Sequence, residues 1–342
     1  MGWLLSKDDI KGFFPTPSSG VVFLLYMAMF VSQGLLVTSS RKGSTEYSYN
    51  VTTVVLLTEI LKLILSASVY ISQNSIHSMV RVISENFYIL FLYLVPSSLY
   101  CIYNNLAFYS LSYFNPTSYF MFMQIRLILT GFIYQVLFKR KLSGIQWFSL
   151  ALLTLGCMFH GAGGGNSALG FGSDKDSISA LGAGFFFIFT QVMCSVFAGV
   201  YNEYIIKGEG SGVDIMIQNV FMYLDSILCN LILLGAKGEI ISALSPDSLG
   251  SVLQVLVLAL VINNAVLGII TSLFLKKLNS IVKAFASALE LVLTALLSVP
   301  ILGIPLSLET VIAILIISAA VITYVKNPIK EQTAKPVDES KV

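Results

Sequence analysis

The most regular feature of the chain is a series of long apolar stretches separated by short polar segments. Of its 342 residues, 56% are hydrophobic and only 11% are charged. Each stretch is about as long as the roughly 17–25 residues that a helix needs to cross a bilayer, and a helix satisfies its own backbone in lipid. The pattern predicts an all-α polytopic membrane protein. Its ten predicted spans lie at about 20–38, 51–72, 87–111, 116–138, 144–162, 179–204, 213–234, 250–274, 280–302 and 308–325.

The distribution of basic residues predicts how these spans are oriented. Ten spans place both termini on one side, where the loops and tails carry thirteen Lys and Arg residues, whereas the opposite loops carry four. The positive-inside rule then predicts that both termini are cytosolic. Asn50-Val51-Thr52 is a glycosylation sequon on the opposite side, although Asn50 is equally well explained as an unmodified helix cap. No cleaved-signal pattern precedes the first span, so we expect that span to be retained.

The two halves of the chain look related. A shift of 164 residues superposes Asn115 on Asn279, Thr130 on Thr294 and Ser143 on Ser307. Two halves of five spans each would enter the membrane in opposite senses, which is the inverted-repeat plan of secondary transporters. The predicted organisation is a cytosolic segment 1–19, a five-helix repeat 20–162, a lumenal linker 163–178, a second five-helix repeat 179–325 and a cytosolic tail 326–342.

Only three of the twenty basic residues, Lys62, Arg126 and Lys283, fall inside the predicted spans. A cation at the centre of a membrane helix costs about 2.5–3.5 kcal/mol on insertion scales, so each needs a partner, water or an anionic ligand. Glu59 lies three residues before Lys62, and the two side chains can neutralise each other. We interpret the three cations as the positive lining of a cavity that receives an anion.

Other polar and aromatic residues inside the spans extend this candidate site. Any one amide or hydroxyl is better explained by hydrogen bonding between helices. Together with the cations, they suggest a ligand with a phosphate held by the cations and a base stacked on tyrosine. The pattern therefore favours a nucleotide-like ligand. The candidate substrate-binding residues are Glu59, Lys62, Asn104, Asn105, Tyr119, Gln124, Arg126, Tyr201, Asn219, Tyr223, Thr271, Ser272 and Lys283.

Several classes of protein are not supported by the sequence. There is no GxxxxGK[ST] loop for ATP, and neither His77 nor His160 belongs to a cluster of metal ligands. We find no paired nucleophile and base at helical spacing, so an enzyme is not predicted, and no cofactor is expected. No basic face is available for a nucleic acid. All four cysteines lie in predicted spans, and no disulfide framework is expected.

Five stretches resemble one family of membrane proteins. Residues 197–201, FAGVY, followed by Glu203 and Lys207, resemble the "FAGVYxExxxK" stretch of nucleotide-sugar transporters, in the branch that carries CMP-sialic acid, UDP-galactose and UDP-N-acetylglucosamine. Residues 58–62 resemble the branch's "TExxK", and residues 104–126 its "NN…Y…QxK" pattern. Residues 219–223 resemble "RNxxxxY", and residues 271–283 resemble "TSxxxK…IxK". The resemblance runs from about residue 20 to residue 325.

This resemblance implies an antiporter that brings a nucleotide sugar into the Golgi or ER lumen in exchange for the corresponding nucleoside monophosphate. The tail lacks the lysine pair of an ER-retrieval signal, which favours the Golgi membrane. Glu59 and Lys62 would lie towards the sugar or a gate. The residues that the resemblance assigns to the nucleotide moiety are Asn105, Arg126, Asn219, Tyr223, Thr271, Ser272 and Lys283.

Some positions depart from the family pattern and leave alternatives open. Arg126 replaces the usual Lys, Gln218 stands where the family has Arg, and Asp225 occupies a small polar position. An acid there would repel a phosphate, which is the best argument for a non-transporting scaffold or regulator on the same fold. An exporter of another organic metabolite is a further alternative, and it would predict an acidic cavity. The identity of the sugar, uridine against cytidine, and a homodimer remain open.

Overall fold

The structure, a computed structural model, describes residues 7–39, 49–114, 116–162, 178–302 and 306–329. In these ranges the regular secondary structure is helical. The helices are α1 (Lys7–Phe13), α2 (Pro17–Ser39), α3 (Val51–Gln73), α4 (Ile76–Glu85), α5 (Phe87–Tyr113), α6 (Pro116–Met123), α7 (Ile125–Phe138), α8 (Gly144–Ala162), α9 (Ile178–Lys207), α10 (Ile215–Lys237), α11 (Ile240–Ala243), α12 (Pro246–Val252), α13 (Val255–Lys277), α14 (Ser280–Leu302) and α15 (Leu308–Lys326). Residues 163–177 of the predicted linker and 330–342 of the predicted tail lie outside the described residues.

Nine helical segments of the described chain are long and apolar enough to cross a membrane. They correspond to nine of the ten predicted spans, with α6 and α7 together forming one of them. The predicted span 144–162 corresponds to α8, which is apolar over the shorter stretch Gly144–Phe159. Large apolar side chains such as Leu24, Phe186 and Leu315 are exposed on the outside of the bundle, where lipid would cover them. The chain is a multi-pass membrane protein.

Side chains at the helix ends explain where several spans begin and stop. The Asn50 side chain accepts hydrogen bonds from the backbone N–H groups of Thr52 and Thr53 and so caps α3. This is the capping role that the sequence left open beside glycosylation. Asp214 caps α10 in the same way, and Gly238, at a φ of 70°, follows its last residue. Glycine is favoured there because the left-handed conformation is strained for other residues.

One predicted span, 116–138, is divided at a point that the sequence did not indicate. The backbone N–H of Gln124 bonds to Met121 O at 3.1 Å, and that of Leu127 bonds to Gln124 O at 3.0 Å. These i to i+3 bonds tighten the chain into a short turn, which separates α6 from α7. The predicted span 87–111 runs through Pro96, and α5 likewise continues past it to Tyr113.

Helix packing brings the two halves of the chain into contact throughout the bundle. The most extensive contacts join α8 with α15, α5 with α9 and α10, α2 with α13, α3 with α10 and α13, and α7 with α9. Small residues allow close approach between such helices, and a Cβ at Gly156 of α8 would lie only 2.8 Å from Ile317 Cγ1 of α15. The space that remains between the halves is a polar cavity.

Candidate functional site

A cavity of about 570 Å³ lies between α2, α3, α5, α7, α9, α10, α13 and α14. Its position between helices of both halves follows from the packing described above. Nine of the thirteen candidate residues line it. They are Glu59, Lys62, Asn104, Arg126, Asn219, Tyr223, Thr271, Ser272 and Lys283.

Two of the three intramembrane cations face this cavity without an ion-pair partner. Arg126 and Lys283 are partly buried and close enough to interact electrostatically. Neither belongs to the ion pairs of the described residues. Arg126 is the second residue of α7 and Lys283 the fourth residue of α14. Helix N-termini carry partial positive charge, so the two side chains and the two helix ends together create a site suited to an anion.

The third cation, Lys62, is neutralised within its own helix. Its Nζ lies 2.7 Å from Glu59 Oε1, and the two side chains are 17% and 13% exposed. The same Nζ lies 5.4 Å from the centroid of the Tyr223 ring. The Lys62–Glu59 pair that the sequence allowed is therefore present, and both residues line the cavity. The cavity cations that form no ion pair within the described residues are Arg126 and Lys283.

Two buried acids reduce the positive charge of the cavity. Glu203 of α9 interacts electrostatically with Lys283. Glu290 of α14 is 8% exposed and interacts electrostatically with Arg126. Its Oε1 accepts a hydrogen bond from Thr294 Oγ1 at 2.9 Å. Glu290 does not line the cavity, so its negative charge lowers the positive potential around Arg126 from outside the cavity wall.

Several polar atoms in the cavity wall lack a protein partner. Asn202 Oδ1, Asn219 Nδ2 and Asn264 Oδ1 are buried and make no hydrogen bond within the described residues, and all three residues line the cavity. Leaving a buried polar group unpaired costs about 1–3 kcal/mol. A polar ligand that bonds to these atoms would remove this cost.

Four candidate residues lie outside the cavity lining. The Asn105 side chain donates to Cys101 O and accepts from Lys237 Nζ at 2.6 Å. Tyr119 Oη accepts a hydrogen bond from Gln191 Nε2 at 2.7 Å, which ties α6 to α9.

The other two of these residues have local structural positions. Gln124 lies at the turn between α6 and α7. Tyr201 stacks on Phe197, with ring centroids 5.6 Å apart and an interplanar angle of 11°.

Two of the residues that depart from the family pattern, Gln218 and Asp225, lie outside the cavity lining. Gln218 Nε2 donates to Gly210 O at 2.7 Å and to Val213 O at 3.0 Å, and its Oε1 accepts from Tyr93 Oη at 2.7 Å. Asp225 is buried but does not line the cavity. The acid therefore does not point at the space where a phosphate would sit in this structure.

Sequence reasoning missed several residues of the cavity wall. Tyr26, Tyr100, Asn202, Asn264 and Ser280 line it but were not candidates. The spacing of Tyr100 and Asn104, one helical turn apart, was a usable signal. Tyr26 lies in a stretch with no charge, and nothing in its neighbourhood distinguished it from an ordinary span.

The fold and the site define a multi-pass membrane protein whose helices enclose a cavity lined by polar residues, with two cations that form no ion pair within the described residues. A family model described as "Nucleotide-sugar transporter" matches residues 19–325. The chain belongs to the nucleotide-sugar transporter family, whose members are transporters of nucleotide sugars and not enzymes.

Individual relatives show how the chain is placed in this family. It is 44% identical to the UDP-galactose transporter senju of Drosophila melanogaster, over 92% of this chain and 88% of that protein. It is 29% identical to CMP-sialic acid transporter 2 of Oryza sativa subsp. indica, over 88% of this chain and 82% of that protein. A comparison with CMP-sialic acid transporter 4 of Arabidopsis thaliana also gives 29% identity, over 88% and 83% of the two chains.

The fold also resembles a solved structure. A crystal structure of another protein superposes with a TM-score of 0.67, covering 91% of this chain and 96% of that one, at 12% sequence identity. At that level of identity the match concerns the fold alone.

Proposed function

We propose that this protein exchanges a cytosolic nucleotide sugar for a lumenal nucleoside monophosphate across the Golgi membrane. The observation that carries the proposal is that Arg126 and Lys283, which form no ion pair within the described residues, lie near helix N-termini in one cavity. A phosphate group between them would relieve their mutual repulsion and accept charge-assisted hydrogen bonds. The 44% identity to a UDP-galactose transporter, against 29% to CMP-sialic acid transporters, favours a UDP-sugar such as UDP-galactose.

The remaining cavity residues suit the other parts of such a ligand. Tyr26, Tyr100 and Tyr103 provide aromatic rings on which a base can stack. The unpaired Asn219 amide and Asn202 carbonyl oxygen offer a donor and an acceptor for base or ribose. A volume of about 570 Å³ falls within the roughly 300–1,000 Å³ of sites that enclose small organic ligands.

The repeat pattern supports alternating access by two inverted five-helix halves. Helices α3 and α10 begin and end 164 residues apart, and so do α8 and α15. Equivalent pairs also pack alike, since α5 contacts α9 and α10 while α13 contacts α2 and α3. Counting α8 as a span gives ten, with the cavity between the halves as in other inverted-repeat carriers. The excess of basic residues on the side of the termini favours a cytosolic location for both.

The same cations give a physical reason for obligatory exchange. Moving an empty carrier through a closed state would enclose the charges of Arg126 and Lys283 without a counter-ion. Enclosing an uncompensated ion costs several kcal/mol. A bound phosphate supplies the counter-charge, so the loaded carrier changes state more readily than the empty one. We therefore expect uptake only when a nucleotide is present on the far side.

The test is exchange in proteoliposomes preloaded with UMP or CMP and supplied with labelled UDP-galactose or CMP-sialic acid. We expect uptake of the UDP-sugar against UMP. Lys283→Gln and Arg126→Gln should each raise KM by about 10–100-fold, because a hydrogen bond to a charged group is worth about 1.5–3 kcal/mol. Lys276→Gln is the matched control, since this exposed lysine at the end of α13 lies outside the cavity lining.

Two results would contradict the proposal. Unchanged exchange by both cavity variants, in correctly inserted protein, would mean that the cations do not contact the ligand. An absence of exchange with every nucleotide pair would favour a non-transporting scaffold on the same fold.

A further inference from the structure

The last two turns of α9 make a charged contact with the turn that joins α13 to α14. Glu203 is fully buried, and its Oε2 accepts a hydrogen bond from the backbone N–H of Ser280 at 2.6 Å. Lys207, one helical turn later, donates from Nζ to the backbone oxygen of Leu278. The two side chains therefore hold the peptide on both sides of Asn279.

This contact helps to cap the N-terminus of α14. Asn279 Oδ1 accepts a hydrogen bond from Val282 N at 2.9 Å, so the turn caps one free N–H of the helix, and Glu203 caps another. A carboxylate at a helix N-terminus is also stabilised by the partial positive charge there. Lys283 follows Ser280 by three residues, so the position of Lys283 in the cavity depends on where α9 holds this turn.

The contact also forms the wall at one end of the cavity. Asn202, the neighbour of Glu203, and Ser280 itself both line the cavity. A solute that enters or leaves at this end must separate the end of α9 from the α13–α14 turn. That separation breaks the hydrogen bonds from Glu203 and Lys207 to the turn.

The charges are arranged so that the contact can open repeatedly. Glu203 Oε1 and Lys207 Nζ are 3.0 Å apart on the same helix, at the i, i+4 spacing. When α9 moves away, the two charges remain paired with each other. If the two charges lay on α9 and on the α13–α14 turn instead, opening the contact would leave each charge unpaired, which is far more costly.

The arrangement belongs to one end of the molecule. The position 164 residues before Glu203 is Ser39, which has no charge. Within the described residues, the equivalent position in the first half therefore carries no carboxylate, although α3 and α10, and α8 and α15, correspond in length. The asymmetry fits a contact that controls access from one side of the membrane.

We propose that Glu203 and Lys207 form a latch that closes the cavity at the end where α9 stops and α14 begins, and that this latch opens in each transport cycle. They are positioning residues that act through the turn and through Lys283. The inference rests on the proposed transport function. With the predicted orientation, the latched end faces the cytosol.

The test measures access to the cavity with a thiol reporter. Ser226 lines the cavity, so Ser226→Cys provides the reporter in the full chain carrying Cys101→Ser and Cys229→Ser. The two remaining cysteines, Cys157 and Cys194, are buried. Sealed vesicles of each orientation are treated with a membrane-impermeant thiol reagent, and the rate of labelling is measured from each side without any substrate.

We expect Glu203→Ala and Lys207→Met to increase labelling from the latched side by about tenfold or more, the factor that corresponds to one hydrogen bond to a charged group. Labelling from the opposite side should fall, because the population shifts between two states. Glu203→Gln retains an acceptor for Ser280, and Lys207→Arg retains a donor, so both should have smaller effects. Arg81→Ala is the control, because Arg81 and Glu85 form an exposed pair at the same spacing.

Equal labelling of variants and parent protein would overturn the latch, and so would an equal increase from both sides, which would indicate a loosened fold. The labelling needs no transport, so failed exchange by the parent protein would refute the proposed function and leave this result interpretable. Normal exchange with unchanged labelling would refute the latch alone.

Discussion

Gly268 of α13 is the position where the packing around the cavity gives the sharpest prediction. A Cβ at this residue would lie 2.7 Å from Lys62 Cε, 3.0 Å from Lys62 Cδ and 3.1 Å from Tyr223 Oη. Carbon atoms pack at about 3.5–4.0 Å, so the Lys62 side chain would have to move by about 1 Å. Gly268→Ala therefore displaces a cavity side chain by adding one methyl group.

The expected effect is on transport and not on stability. The displaced Lys62 would lose its 2.7 Å contact with Glu59 and its place over Tyr223. Lys62 lines the cavity, and a hydrogen bond from its charged Nζ to the ligand would be worth about 1.5–3 kcal/mol, so KM for the nucleotide sugar should rise by about 10–100-fold when Lys62 is displaced. The thermal unfolding midpoint should not fall, because the end of a lysine side chain can turn aside and Ala favours a helix over Gly by about 1 kcal/mol.

Two glycines elsewhere serve as controls in the same exchange and unfolding assays. A Cβ at Gly156 would meet Ile317 Cγ1 at 2.8 Å and the Ile317 backbone nitrogen at 3.2 Å, and that backbone cannot turn aside. Gly156→Ala should cost about 1–3 kcal/mol of stability and leave KM unchanged. Gly250 has nothing within 4 Å of an added Cβ, so Gly250→Ala should change neither quantity.

The reasoning would be refuted by a wild-type KM in Gly268→Ala. That result would mean that the position of Lys62 does not matter to the ligand. A fall in the unfolding midpoint as large as that of Gly156→Ala would contradict the claim that Lys62 yields easily.

Two further predictions separate cavity residues from structural ones. Asn219→Ala should raise KM by about tenfold without lowering the unfolding midpoint, because its amide nitrogen makes no hydrogen bond within the described residues; a lower midpoint with a normal KM would contradict this. Tyr119→Phe removes the acceptor for Gln191, so it should cost about 1 kcal/mol of stability and leave KM unchanged. A raised KM at an unchanged midpoint would instead place Tyr119 against the ligand, as the sequence predicted.

The sequence predicted the spans well because length and hydropathy are local properties. The predicted span 51–72 corresponds to α3, and 308–325 to α15, each within one residue at either end. The division at Gln124 was missed, since no proline or glycine marks it.

The site was predicted less completely because a side chain's direction depends on helix rotation. Asn104 lines the cavity, whereas Asn105, about 100° further around the same helix, contacts Lys237 instead. The sequence placed the two asparagines side by side and gave no reason to separate them. The sequence left open whether Lys62 pairs with Glu59 or faces an anion in the cavity. Only the positions of the two side chains in the folded protein show the pair.

By itself, the sequence determined that this is a multi-pass helical membrane protein of the nucleotide-sugar transporter family, with three cations in its spans. Those properties follow from residue type and spacing along one chain. Only the tertiary structure decided that Arg126 and Lys283 share one cavity, and that Glu203 caps a helix 77 residues further along the chain. Contacts between distant segments depend on how each helix is rotated and packed against its neighbours, and no local pattern in the sequence specifies that rotation.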